Sequence, residues 1–292
     1  MSFQTDKPAY QIFDKEGNKS SYNALLEKAE DYDVVLFGES HNNPITHWLQ
    51  IELTKDLYKK TSERQSKKGK NHLILGAEMF EADNQVILDE YVADIITEKN
   101  FEAEARLWNN YKTDYKPLVE FAKENKLTFV ATNIPRRYAS LVSKKGLSSL
   151  DSLSSDAKGF MMPLPVEVDL KMPAYTNMLK MMGVHSHTEN VHQGAANFAY
   201  AQAVKDATMA YRINEYYKKA AQANSKNPIL LHFNGSYHSD NYESIVYYLK
   251  KYNADLKIMT ITAADQADLS KLEKTEVADF AIVTPLSMTR TY

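Results

Sequence analysis

The sequence predicts an α/β fold with a largely parallel central sheet, helices on both faces, and a mainly helical insertion that acts as a lid. Three observations carry that reading. Short apolar runs of strand length recur along the chain, each closed by glycine or by polar residues. Helical periodicity fills the intervals between them. One long interval, 140–195, holds no strand-like run at all. Glycine and proline number only 9 each among 292 residues, a scarcity that favours long helices over elaborate loops.

In chain order, residues 21–30 place Tyr22, Leu25, Leu26 and Ala29 at helical spacing, and 33–38 form the first buried strand, ending on Gly38. A helix starts at Pro44, a residue tolerated in the first turn, and Ile45, Trp48, Leu49, Leu53 and Leu57 give it an apolar face. The cationic stretch 59–70 reads as a solvated loop, and 72–77 as the second strand. Helices are expected over 83–98, over 101–110 with Trp108 on it, and over 117–124, leading into the third strand, 127–132. A long helix, 195–220, precedes strands at 227–233, 256–262 and 278–284. The expected organisation is therefore a core of 1–139 and 196–292 interrupted by the insertion 140–195, which is rich in methionine and histidine.

Composition removes several classes of function. With 43% hydrophobic and 25% charged residues the chain is neither disordered nor fibrous. A formal charge of −3 provides no basic field for nucleic acid, so none is an expected partner. The apolar runs fall far short of the ~18 residues of a membrane span. With no cysteine, disulfides, thiolate metal sites and a cysteine nucleophile are excluded. The opening MSFQTDKPAY lacks the charged and apolar regions of a signal peptide. Dinucleotide, P-loop, nucleophile-elbow and HExxH motifs do not occur.

In an open α/β sheet, ligands bind beyond the carboxyl ends of the strands. The residues just past each strand are therefore the candidates for chemistry. The first strand leads into Glu39 and His41, with His47 in the next helix; the second into Glu78; the third into Asn133 and Arg136; the fourth into His238. Two of these segments, 38–41 and 235–238, share the form GxxH, in which glycine lets the chain turn sharply out of the strand. Glu39, His41, Glu78 and His238 form a set suited to general acid–base catalysis or, joined by His47, to holding zinc, manganese or cobalt. Arg136 clamps a ligand anion or makes a surface ion pair. Asp206, on an alanine-rich helix, is placed to orient a histidine or arginine of the cleft. In the insertion, soft methionines stand beside Tyr175, His185, His187 and His192. That mixture suits a flat apolar macrocycle such as haem, although helically spaced methionine also serves as core filler.

The blocks GESHNNPITH (38–47), GAEMF (76–80), ATNIPRR (131–137), QAVKDATMA (202–210) and NGSYH (234–238) occur in the order found in the ChaN-like haem-binding uptake family, which the chain resembles over roughly residues 10–250. That family looks related to Tiki metalloproteases and TraB-type proteins and, more remotely, to erythromycin esterase-like enzymes. The resemblance implies an iron-regulated protein of the bacterial envelope, periplasmic or on the outer membrane, with the cytoplasm left open. It also implies haem binding, a dimer with stacked haems, and a lipid anchor for which this sequence shows no cysteine. The matching positions are Glu39, His41, Glu78, Asn133, Arg136, Asp206 and His238. Two functions are thus expected: haem binding at a surface that involves the insertion, with Arg136 on a propionate, or metal-dependent hydrolysis of an ester or peptide at the His/Glu set.

Overall fold

A computed structural model of the chain describes residues 7–63, 73–181, 193–223 and 227–292. It opens with a hairpin, β1 (Gln11–Asp14) and β2 (Lys19–Ser20), that the sequence reading does not anticipate. With only Ile12 and Phe13 buried, the segment is too short for a periodicity to register. Helix α1 (Tyr22–Ala29) is capped by Ser21, whose hydroxyl accepts from Ala24 N at 3.1 Å. Strand β3 (Val34–Glu39) leads into α2 (Pro44–Glu63), where Asn43 Oδ1 accepts from the amides of Ile45 and Thr46. The expected loop 59–70 is therefore helical as far as Glu63.

Strand β4 (Leu73–Glu81) runs past its expected end at Ala77, which brings Glu78 into the sheet itself. The helices expected over 83–98 and 101–110 are replaced by α3 (Gln85–Val92) and α4 (Glu98–Glu104). Asp94, left-handed at φ 60°, stops the first from continuing, and Thr97 caps the second. Trp108 consequently falls in the following turn rather than on a helix. A π-helical turn, Tyr111–Tyr115, then passes into α5 (Lys116–Asn125) and β5 (Thr128–Asn133).

Next come α6 (Arg136–Lys145), α7 (Ser155–Lys158), α8 (Pro173–Met181) and α9 (Gln193–Gln222). The interval 140–195 thus carries helices and, among its described residues, no strand. The chain closes with β6 (Ile229–Gly235), α10 (Ile245–Tyr252), β7 (Ile258–Gln266) and β8 (Phe280–Pro285).

The sheet order is β2-β1-β8-β7-β3-β6-β4-β5. Strands β8 to β5 are parallel, and only β1 runs against them, β2 turning back to their direction. Alternation along each strand feeds two cores. Val35, Phe37, Leu231 and Phe233 face α1 to α5, whereas Val34, Leu36 and Leu230 face α6, α9 and α10. Met161 and Met162 lie in the second core, as filler. Helix α8 packs Tyr175 and Leu179 on Ala195, Ala199 and Ala203 of α9, whose short side chains allow close approach.

The free edge of β5 is occupied by a side chain. Gln85 Nε2 donates to Phe129 O and its Oε1 accepts from Ala131 N, both at 2.8 Å, copying a neighbouring strand. The register then levels the strand ends: Glu39 lies opposite Gly235, and a bulge between Ala77 and Glu81 sets Glu81 opposite Asn133.

Candidate functional site

At the end of β3, Glu39 is buried and accepts from three donors. Tyr115 Oη donates to Oε1 at 2.6 Å, Gln50 Nε2 to Oε2 at 2.6 Å, and His41 Nδ1 lies 2.9 Å from Oε1. The His41 ring is about one-third exposed and packs edge-on with Trp108, centroids 5.0 Å apart. Its backbone carbonyl is fixed by Asn110 Nδ2 at 2.7 Å and by His47 Nε2 at 3.1 Å. Burial lowers the affinity of His41 for a proton, but the bond to Glu39 and the charge of Glu78 outweigh it and raise its pKa. With Nδ1 held by Glu39, Nε2 is the nitrogen left to the cleft.

At the end of β6, the second GxxH turn delivers a histidine to a different environment. His238 is buried, with Nδ1 2.5 Å from Asp206 Oδ1 and Nε2 3.2 Å from Glu78 Oε1. Glu78 Oε2 accepts from Gly235 N at 2.8 Å, and Tyr175 Oη donates to Asp206 Oδ2 at 2.8 Å. Desolvation opposes charge on His238, yet the two flanking carboxylates prevail and hold its pKa up at about 10. For Glu78, burial is again the opposing influence. The histidine charges and the Gly235 amide keep it well below the usual carboxylate range.

The glycines of the two turns are needed for space. A Cβ on Gly235 would sit 2.8 Å from Cε1 and Nε2 of His41; one on Gly38 would meet Ser236 Cα at 2.8 Å and Ile261 O at 2.9 Å. Beyond β5, Asn133 Nδ2 donates to Glu78 O at 3.1 Å, and Arg136 is ion-paired with Glu81, which Arg106 also binds. Arg136 remains exposed on the rim of the cleft.

These groups surround one cleft with two compartments. The first, of about 630 Å³, is lined by Trp108, Asn133, Arg136, Gln202 and Lys205. The second, of about 490 Å³, is lined by Met178, Met181, Phe198 and Tyr237. His41, Gln202 and His238 line both.

The structure therefore brings Glu39, His41, Glu78, Asn133, Arg136, Asp206 and His238 to one sheet edge, as the order of motifs along the chain suggests. His47 lies behind them, with Nδ1 2.9 Å from Gln50 Oε1 and Nε2 on the His41 carbonyl. Tyr175 corrects the expectation of a ligand-facing phenol. It has no exposed surface, and its hydroxyl is committed to Asp206, so it supports His238 from behind. His185, His187 and His192 lie outside the described residues. The expected zinc, manganese or cobalt finds no group of three or more His, Asp or Glu among the described residues arranged to hold it. Glu39, His41, Glu78 and His238 are engaged with one another or with neighbouring amides and hydroxyls.

Sequence reasoning missed Gln50 and Tyr115, which hold Glu39, and Gln202 and Lys205, which line the cleft. Gln202 and Lys205 had a signal: with Phe198 they repeat at i, i+4 and i+7 along α9, so they share a face. Tyr115 had none, because a π-helical turn aims it.

The sequence profile described as "Haem-binding uptake, Tiki superfamily, ChaN" matches residues 25–249. The solved structure of ChaN from Campylobacter jejuni, described as showing cofacial haem binding, is similar with a TM-score of 0.67 at 16% identity, over 94% of this chain and 96% of that one. A mutant of the erythromycin esterase EreC in its open conformation matches with a TM-score of 0.44 and 14% identity over 90% of this chain and 78% of that one. No curated protein matches the chain in sequence.

Proposed function

The chain belongs to the haem-binding uptake (ChaN) family of the Tiki superfamily, and we propose that it binds haem in the apolar compartment of the cleft as part of bacterial haem acquisition. One observation carries the reading. Met181, Phe198 and Tyr237 expose apolar surface around a single compartment that also contains the accessible edge of His41. Exposed apolar surface collected in a concave site is the usual signature of an apolar ligand. Met178 and Met181 come from the insertion, so the expected participation of that segment is part of the proposal.

The axial ligand on this reading is a histidine, His185, His187 and His192 being the candidates the sequence offers. Arg136 and the polar rim lie on the far side of His41 and meet a propionate. The cofacial haems of the Campylobacter protein support a paired arrangement across a homodimer. Location in the cell envelope, with or without a lipid anchor, belongs to the same proposal. Among the described residues no helix is long and apolar enough to cross a membrane.

Haemin titration followed by Soret absorbance tests the reading. A saturable shift with whole-number stoichiometry is expected, weakened at least tenfold by Phe198→Glu, with the spectrum altered when His185, His187 and His192 are replaced by alanine. A non-saturating curve for the wild type would overturn it.

A second reading, hydrolysis of an ester or peptide, rests on a separate observation: Glu39 fixes Nδ1 of His41, and Nε2 opens on the cleft as a base that can accept a proton from water. On this reading His41→Ala abolishes turnover in an ester screen and spares haem binding. Retention of any turnover by the variant would remove it.

A further inference from the structure

Haem binding draws on the apolar compartment and, for a propionate, on Arg136 at the rim; Asn133, Gln202 and Lys205 of the larger polar compartment are left without a task. Two residues that line the cleft carry buried side-chain oxygens with no partner among the described residues. Asn133 is nine-tenths buried; Nδ2 donates to the backbone of β4, but Oδ1 accepts nothing. Gln202 Oε1 is buried and equally unpartnered. Buried side-chain oxygens in proteins nearly always accept a hydrogen bond, so this pair marks positions where a donor is missing. Lys205, three residues beyond Gln202 on α9, lines the same compartment. It is paired with no carboxylate among the described residues, whereas Arg136 is held by Glu81.

The compartment thus requires two properties in a single ligand: hydrogen-bond donors for Asn133 and Gln202, and negative charge for Lys205. An ionised propionate of haem has the charge and no donor, and would set its oxygens against two carbonyl oxygens. A neutral sugar has the donors and no charge. The volume of about 630 Å³ is that of a small-molecule site.

We propose that the polar compartment is a second binding site, for a small hydroxylated carboxylate of the sugar-acid class. Lys205 holds its carboxylate, and the side-chain amides of Asn133 and Gln202 turn toward the occupant so that Oδ1 and Oε1 accept from its hydroxyls. The occupant lies against His41 from the side opposite the apolar compartment, so the imidazole is shared between the two.

Calorimetric titration of the haem-free full chain tests this with D-glucuronate, using glucose and propionate as the two halves of its chemistry. Glucuronate is expected to bind at least tenfold more tightly than either. Lys205→Met should reduce glucuronate to the affinity of glucose, and Gln202→Met should weaken it several-fold. Both changes are on the cleft side of one helix, so they report binding without the folding risk of altering Asn133. Glucuronate binding no tighter than propionate, or unchanged in Lys205→Met, would overturn the proposal. Displacement of glucuronate by haemin but not by its dimethyl ester, lost in Lys205→Met, would also overturn it, by assigning Lys205 to a propionate. Because the titration contains no haem in its first arm, its outcome is independent of haem binding in the apolar compartment.

Discussion

The two GxxH turns lie at the ends of adjacent strands, yet they produce histidines of opposite character. His41 is partly exposed, bound to the carboxylate of its own strand, and packed on Trp108. His238 is buried between carboxylates that come from elsewhere in the chain, Glu78 of β4 and Asp206 of α9. The cause is position in the sheet. Strand β6 lies between β3 and β4 and beneath α9, so its turn receives acidic side chains from both directions. Strand β3 has β7 on its other side, which offers Gly38 only the backbone of Ile261. A motif sets the direction of the chain, and its neighbours set the chemistry.

The contrast is broken most severely at Asp206. Asp206→Ala leaves His238 Nδ1 and the Tyr175 hydroxyl without their acceptor in a buried site, and should cost about 3–5 kcal/mol in urea unfolding. A loss under about 1 kcal/mol would show that the pair is solvated, contrary to its burial.

The glycines separate next. Gly38→Ala drives a Cβ into the backbone of Ser236, just past β6, and of Ile261 on β7, and should destabilise by about 1–3 kcal/mol. Gly235→Ala presses on the ring of His41, which can swing away, so less stability is lost. Equal unfolding midpoints for the two variants would contradict the difference.

The pH dependence sharpens the same contrast. His238 has its folded pKa raised to about 10, above its unfolded value of about 6.5. Its contribution is complete below the unfolded value and disappears as pH rises through the folded one. Stability should decline between about pH 6.5 and 10 by no more than about 1.4 kcal/mol per unit. His238→Gln should flatten that limb. Glu78, shifted the other way, contributes above the ordinary carboxylate range and loses its contribution only in acid, outside this window.

The smallest effect belongs to His41. Its partly exposed pair with Glu39 is worth less than about 1 kcal/mol, and Glu39 keeps Tyr115 and Gln50 when it is removed. His41→Ala should therefore unfold close to the wild type while losing ester turnover, a separation that urea melts and the ester screen measure together.

Much of this was legible in the sequence because strands and their exits are local. Glu39, Glu78, Asn133 and His238 each end an apolar run or lie just past one, and parallel strands bring such exits to one edge. Asp206 was legible as an acidic residue on an alanine-rich helix, though its partner was not. Where local signals compete, the reading failed. Residues 83–110 carry helical periodicity throughout, but Asp94 and the Thr97 cap divide them, and Trp108 reaches His41 from a turn. Tyr175 has the chemistry of a haem ligand, and only the packing of α8 on α9 shows its hydroxyl turned inward to Asp206.

By itself, then, the sequence determined the α/β class, the strand exits, and the glycines that let the chain turn there. Each of these depends on periodicity and backbone freedom within a few residues. Tertiary structure alone decided which histidine is clamped and which is open, that Tyr115 and Gln50 hold Glu39, and that the cleft has an apolar and a polar half. Those outcomes depend on strand order and on side chains far apart in the chain, such as Asp206 and His238, meeting across a helix–sheet interface. The proton affinity of a buried group is set by the charges that surround it after folding, and no local pattern contains them.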